Sequence, residues 1–260
     1  LIRGAGDLAT GIAAELWERG HQILMTDVAI PLTVRREVAF SRAVYEEHAV
    51  VEGIEAVLAD NFEEAETIMA TRKIAVMVDE KAEVRKEYLP DVLVDGIMAK
   101  KNLGTSRDMA PLTVGLGPGF TAGEDVDYVI ETMRGHNLGR IIKKGSALPN
   151  TGVPGLIAGI GKERVIHSPA AGNMKNICQI ADLVEKDQVI AMVGDTPVKA
   201  TISGVIRGLI RDGYLVSRTS TQGQNRRKTV LRSQTRRGVS QGEYWRCCFP
   251  AECFREQRKL

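Results

Sequence analysis

The chain has 260 residues, 43% hydrophobic and 26% charged, with 26 glycines. That composition excludes collagen-like, disulfide-scaffold and extended low-complexity chains and allows one or two domains with a real core. The formal net charge of +2 averages two unlike pieces: residues 218–260 hold 11 Lys+Arg against 3 Asp+Glu, net +8, leaving 24 against 30, net −6, over residues 1–217. A mildly acidic body is not a nucleic-acid binder by bulk charge, and its single cysteine, Cys178, fits a reducing cytoplasm. No apolar run reaches the roughly 18 residues of a transmembrane helix, so no membrane partner is expected. The chain opens in Leu1-Ile2-Arg3-Gly4 with neither an initiator Met nor a signal-like segment, and its first residues are read as missing.

In chain order, residues 2–6 read as the end of a strand running into a glycine turn. Residues 8–19 carry Leu8, Ile12, Ala13 and Leu16 at helical spacing, and Gly20 stops that helix. Residues 22–26 form a buried strand ending at Asp27. A second helix is expected over 31–40, with Pro31 in its first turn. Residues 49–58 alternate around Gly53 as a hairpin, and 62–70 are helical. The apolar runs 74–78 and 92–94 each end at an aspartate, Asp79 and Asp95, and the run 112–116 leads into Gly117-Pro118-Gly119. A helix over 125–133 and a strand over 140–142 follow. Alternation of strands and helices, with Asp and Gly at strand ends, predicts an α/β, Rossmann-like domain over residues 1–148 with a mostly parallel sheet. Ligands on such sheets bind beyond the C-terminal strand ends.

Gly4-Ala5-Gly6-Asp7-Leu8-Ala9 fits G-x-G-x-x-A. The first glycine makes the tight turn, the second lets backbone approach a pyrophosphate, and a small third residue lets helix pack on strand. Asp27, 21 residues after Gly6, stands where a ribose-binding acid belongs. Gly4, Ala5, Gly6, Ala9 and Asp27 are therefore candidate cofactor contacts. Asp7 argues the other way, because a carboxylate beside a pyrophosphate is electrostatically unfavourable. Gly117 and Gly119 could cradle an anion through backbone amides or simply make a tight turn. Asp95, Lys100 and His136 are the candidate acid–base groups; the alternative is a solvated loop for the first two and a surface histidine for the third. No H-E-x-x-H, paired C-x-x-C or G-x-S-x-G occurs, so no metal site or serine nucleophile is expected.

Residues 149–162 are rich in Gly and Pro and read as a linker. Two similar arms follow. One runs from Ser168-Pro169-Ala170-Ala171-Gly172 through Val184 to Ala191, the other from Ala200-Thr201-Ile202-Ser203-Gly204 to Val216. They predict a small β module over 163–217 of the barrel-sandwich-hybrid kind used by biotinyl and lipoyl carriers. A carrier places a modifiable lysine between hydrophobic residues at the hairpin joining the arms. Gly194-Asp195-Thr196-Pro197-Val198-Lys199 lacks that signature, so no biotin or lipoate attachment is expected.

Taken together, several motifs in order resemble the accessory proteins of the selenium-dependent molybdenum hydroxylase system. They are Ile2-Arg3-Gly4-Ala5-Gly6-Asp7-Leu8-Ala9-Thr10-Gly11; Ala39-Phe40-Ser41 with Ala43-Val44-Tyr45; Val94-Asp95 through Ala99-Lys100 and Asn102-Leu103-Gly104-Thr105; Gly115 to Gly123; and Glu131-Thr132 with Arg134-Gly135-His136-Asn137-Leu138-Gly139-Arg140. The resemblance covers residues 1 to about 216. It implies a bacterial cytoplasmic maturation factor for xanthine dehydrogenase-like enzymes, with a molybdenum hydroxylase or its cofactor-assembly proteins as partners. The expected cofactor is NAD(P) or a molybdopterin nucleotide. The resemblance carries over no catalytic residue.

The resemblance stops after Val216. Similar proteins continue with D-x-D-P-R and then C-F-x-I-S-D-K-A-R. Residues 227–249 can be encoded so that reading two bases later gives K-N-C-F-T-I-S-D-K-A-R-S-I-A-G-G-V-L-E-V-L-F. Residues 218–260 are therefore read as the product of a frameshift, expected to be disordered because they cannot bury enough apolar surface. Two further readings of the whole chain stay open: an NAD(P)-linked oxidoreductase using His136 or Lys100 for proton transfer, and a non-catalytic scaffold whose β module docks a partner hydroxylase.

Overall fold

The computed structural model describes residues 1–152, 160–216 and 229–234. It divides into two compact units. The first is built from Leu1–Pro31 and Val38–Thr151, the second from Leu32–Glu37 and residues within Gly152–Gly238.

The first unit is α/β. Its strands are β1 (Ile2–Arg3), β2 (Leu24–Asp27), β3 (His48–Val51), β4 (Ile54–Ala59), β5 (Ile74–Val78), β6 (Val92–Asp95), β7 (Leu112–Leu116), β8 (Thr121–Ala122), β9 (Tyr128–Ile130), β10 (Ile141–Ile142) and β11 (Gly145–Ser146). Its helices are α1 (Asp7–Glu18), α2 (Ala43–Glu46), α3 (Phe62–Ala70) and α4 (Arg85–Tyr88). The nine-stranded sheet runs β10-β9-β7-β6-β1-β2-β5-β4-β3. Pairings from β9 across to β4 are all parallel; only the outer strands β10 and β3 pair antiparallel. The remaining strands, β8 and β11, form a separate antiparallel pair.

Helix α1 forms because Ala9, Ile12, Ala13 and Leu16 recur at i, i+3, i+4, i+7. This stripe packs with Ile2, Met25, Val76, Val94, Val114 and Ile130 on one sheet face. On the other face, Leu24, Ala75, Met77 and Leu93 cluster with Ala65, Ile68 and Met69 of α3. Asn61 caps α3 by accepting the Glu64 N–H at 2.9 Å, and the Glu64 carboxylate reaches back to the Asp60 N–H. With both faces covered, the central strands are near-continuous apolar runs, as parallel strands require.

Two expected helices are absent. Residues 31–40 are instead an extended passage with short 3₁₀ turns at Arg36–Val38 and Phe40–Arg42. Here Leu32–Glu37 joins the second unit: the Leu209 N–H donates to the Val34 carbonyl at 2.8 Å, and Arg36 Nε donates to the Leu209 carbonyl at 2.9 Å. Those bonds to a residue far along the chain override the Pro-initiated helix signal. Residues 125–133 contain strand β9 instead. The Asp127 carboxylate accepts the Thr113 N–H and hydroxyl, both at 2.9 Å, which ties this segment to β7, and the β-branched Val129 and Ile130 are fully buried in the sheet.

The second unit has two four-stranded sheets. Its strands are β12 (Val165–His167), β13 (Gly172–Asn176), β14 (Leu183–Val184), β15 (Val189–Val193), β16 (Thr196–Lys199), β17 (Gly204–Leu209), β18 (Leu215–Val216) and β19 (Thr229–Gln234). One sheet runs β12-β19-β17-β14 and the other β16-β15-β13-β18. The two arms seen in the sequence exchange places between the sheets. Gly172 pairs with Val216 while Val184 pairs with Gly204, and Asn173 pairs with Leu215 while Leu183 pairs with Val205. Backbone bonds repeat the exchange: Ala181 N–H to the Ile206 carbonyl, and Gly213 N–H to the Met174 carbonyl. Met174 and Ile206 occupy equivalent buried places in one core, as do Val184 and Val216.

Strand β19 lies inside the stretch expected to be disordered. The local run Thr229-Val230-Leu231 has strand propensity that an average over the whole tail hides. The rest of that tail, and residues 153–159 of the expected linker, lie outside the described residues.

Candidate functional site

The chain builds β1 and β2, fills in β5 and β4 on one side, then returns to the other side of β1 with β6 and β7. The switch point of the sheet is therefore the gap between β1 and β6. The turn Gly4–Gly6 leaves β1 there, and Gly96-Ile97-Met98 leaves β6.

Gly4 and Ala9 each have a measurable reason to be small. Gly4 has φ +90°, and a Cβ on it would lie 3.0 Å from the Ile97 Cα. A Cβ on Gly96 would lie 2.9 Å from the Ala9 Cβ, so Ala9 and Gly96 together let α1 approach the β6 loop. The turn is braced from behind: Ser41 N–H donates to the Ala5 carbonyl at 2.8 Å, and Thr10 Oγ1 bridges the Ala5 carbonyl and the Phe40 N–H.

Asp27 stands at the end of β2 beside this turn. Its Oδ2 accepts the Ala5 N–H and its Oδ1 accepts the Val28 N–H, both at 2.8 Å. Burial raises its carboxyl above the usual aspartate value, and the two backbone bonds oppose that shift. Each oxygen keeps a further lone pair for a ligand hydroxyl. The backbone amide of Gly4 is spent on the Thr26 carbonyl and that of Gly117 on the Ile130 carbonyl, so neither serves as an anion donor. Asp7 accepts the Leu8 N–H at 3.1 Å and so covers part of the α1 N-terminus itself.

On the opposite sheet face, Arg3 and Asp95 stand side by side in register, both about 2% exposed. Arg3 Nη1 meets Asp95 Oδ2 at 3.5 Å and donates to Thr105 Oγ1. Thr105 Oγ1 donates to Asp95 Oδ2 at 2.5 Å, and Asp95 Oδ1 accepts the Ile97 N–H at 3.1 Å. Arg3 Nη2 reaches the Glu80 carbonyl at 2.9 Å, which ties the loop after β5 to the loop after β6. Asn102 closes the latter by accepting the Gly104 and Thr105 N–H groups. Burial pushes the Asp95 carboxyl up, outweighing Thr105, Ile97 and Arg3, which pull it down.

Next along the edge, the loops after β6, β7 and β9 interlock. A Cβ on Gly119 would lie 2.6 Å from the Lys101 Cα, and one on Gly117 would lie 2.5 Å from Thr132 Oγ1. Glu131 is 4% exposed, and its two oxygens accept the Met133 and Leu148 N–H groups. His136 is exposed on the turn between β9 and β10.

Gly4, Ala5, Gly6, Ala9 and Asp27 thus come together, and Gly117 and Gly119 shape a neighbouring loop. The acid–base trio does not assemble: Asp95 is committed to Arg3, Thr105 and Ile97, whereas Lys100 and His136 lie exposed on separate loops. The sequence reading missed the Arg3–Asp95–Thr105 cluster. Its signal was a charged residue inside a strand that both helical layers cover. Among the described residues no group of three His, Cys, Asp or Glu side chains could hold a metal ion, and no helix is long and apolar enough to cross a membrane.

No family model matches the chain. It is 47% identical over 216 residues to the uncharacterized protein YqeB of Escherichia coli (strain K12), a match covering 83% of this chain. The chain spans 40% of the length of that relative. Among solved structures it is similar to an aspartoacylase family protein from Mesorhizobium loti, at 14% identity and a TM-score of 0.27, over 83% of this chain and 86% of that one.

Proposed function

We propose that this chain binds a nucleotide-containing cofactor at the β1/β6 edge and does so as part of a bacterial accessory factor for maturing molybdenum hydroxylases. One observation carries the ligand class: the glycine turn, with Asp27 beside it, stands at the sheet's switch point, the place where open parallel sheets bind nucleotides. The process comes from the motif resemblance over residues 1 to about 216. The scattered acid–base trio favours binding over catalysis and so speaks against the oxidoreductase alternative.

The second unit is read as a barrel-sandwich hybrid, supported by the exchanged pairings of its two arms. Its inter-arm hairpin turns at Gly194-Asp195, and Lys199 pairs with Val189 at the far end. A docking role suits that geometry better than a swinging arm.

Calorimetric titration with NAD(H) and with a molybdopterin nucleotide tests the ligand class. One of them should bind, and Asp27→Ala should weaken it by about 1.5–3 kcal/mol, the worth of hydrogen bonds to a charged group. Unchanged affinity in Asp27→Ala removes the assignment.

A further inference from the structure

Alternation along the strands sorts the C-terminal edge of the sheet into two faces. In β2, Leu24 packs with α3 and Met25 with α1. In β5, Ala75 and Met77 pack with α3, and Ile74 and Val76 with α1. Side chains two residues apart share a face, so Asp27 and Val78 both continue the α1 face. They are also Cα partners in the parallel β2–β5 ladder, where strands lie about 4.8 Å apart. Asp27 and Val78 therefore stand side by side, next to the glycine turn that Asp27 holds through the Ala5 N–H.

Val78 is the odd residue of its strand. Ile74 to Met77 are buried, whereas Val78 is 49% exposed. An apolar wall beside a carboxylate with acceptor capacity left suits a ligand with an apolar ring at one end and hydroxyls next to it. The base and ribose of a nucleotide have that order. The surroundings also set what the ribose can carry. An ionised carboxylate only accepts, so its partner must donate. Hydroxyls do, but a phosphate brings further acceptors and like charge. The loop leaving β2, Val28-Ala29-Ile30-Pro31, contains no Lys or Arg to receive a phosphate, and the loop leaving β5 opens with two acids, Asp79-Glu80, ahead of Lys81. Arg3, which reaches the Glu80 carbonyl, is buried on the opposite face.

We propose that the β2/β5 edge anchors the nucleoside end of the ligand: Asp27 accepts the free 2′- and 3′-hydroxyls of the ribose, the base lies against Val78, and a ribose carrying a 2′-phosphate is rejected. This deepens the nucleotide reading above and rests on it. The rest of the ligand then runs toward the gap between β1 and β6.

The test is calorimetric titration of the full chain with ADP and CDP, each beside its 2′-deoxy form and its 2′-phosphorylated form. At least one diphosphate should bind, and removing its 2′-hydroxyl or phosphorylating it should each cost roughly tenfold or more in affinity. Val78→Ser, at a half-exposed strand end, should keep its thermal midpoint and weaken the ribo and 2′-deoxy forms alike, by about threefold or more. Asp27→Asn should instead bring the ratio between those two forms toward one. The inference is overturned if the parent binds all three forms equally, if it prefers the 2′-phosphorylated form, or if Val78→Ser binds like the parent; in each of these cases the nucleotide reading survives. It is also overturned, with that reading intact, if neither diphosphate binds while NAD(H) or a molybdopterin nucleotide does. If none of these ligands binds, both fall together.

Discussion

Asp95→Ala is expected to destabilise the first unit by about 3–5 kcal/mol, the cost of leaving one member of a buried ion pair unpartnered. Arg3 would keep its charge at about 2% exposure, and Thr105 and Ile97 would lose their acceptor. Urea denaturation measures the loss. A charge-free double variant, Arg3→Met/Asp95→Leu, should recover most of it, since the penalty lies in the uncompensated charge of the buried guanidinium rather than in the missing attraction. If the double variant is no more stable than Asp95→Ala, the pair has another role. Asp95 also sets a pH dependence. Burial holds its carboxyl above the usual aspartate value in the folded state, so folding takes up a proton in the interval between the two values. Its contribution is fully present below the usual aspartate value and is lost as pH rises through the raised one. Asp95→Asn should flatten that part of the stability profile.

Gly4→Ala is expected to cost about 2–4 kcal/mol and to abolish ligand binding. An alanine there must adopt φ near +90°, worth about 1–2 kcal/mol, and its Cβ would press on the Ile97 backbone at 3.0 Å. Backbone cannot rotate away as a side chain can, so the β1 and β6 loops must part, and that gap is the proposed site. Gly53→Ala is the control: its φ is +82°, but nothing lies within 4 Å of an added Cβ. It should show the conformational cost alone, about 1–2 kcal/mol. Equal losses in the two variants would mean that the close approach of the loops carries no weight.

Much of this was legible in the sequence, for reasons that differ by element. The runs at α3, β5 and β7 are bounded by polar, proline or glycine residues on both sides, and pattern alone delimits them. The glycine turn and Asp27 follow from spacing along the chain, because a strand–turn–helix unit fixes its own geometry locally. The segment 31–40 was misread because its decisive bonds are to Leu209, far along the chain. The stretch 125–133 was misread because Asp127 binds Thr113 in β7, a partner that periodicity cannot reveal. Arg3 and Asp95 are adjacent only once β1 and β6 pair, so their union was out of reach, though a charge in each buried strand was visible. The role of Asp7 was half legible: its charge was plain, but its bond to Leu8 appears only in the folded turn.

The measurement closest to the central claim is hydrogen–deuterium exchange with and without the tighter-binding of NAD(H) and a molybdopterin nucleotide. Protection is predicted at residues 4–9, 96–101 and 117–120, with β13–β18 unchanged. Protection confined to the second unit, or no protection from either ligand, would contradict a nucleotide site at the β1/β6 edge.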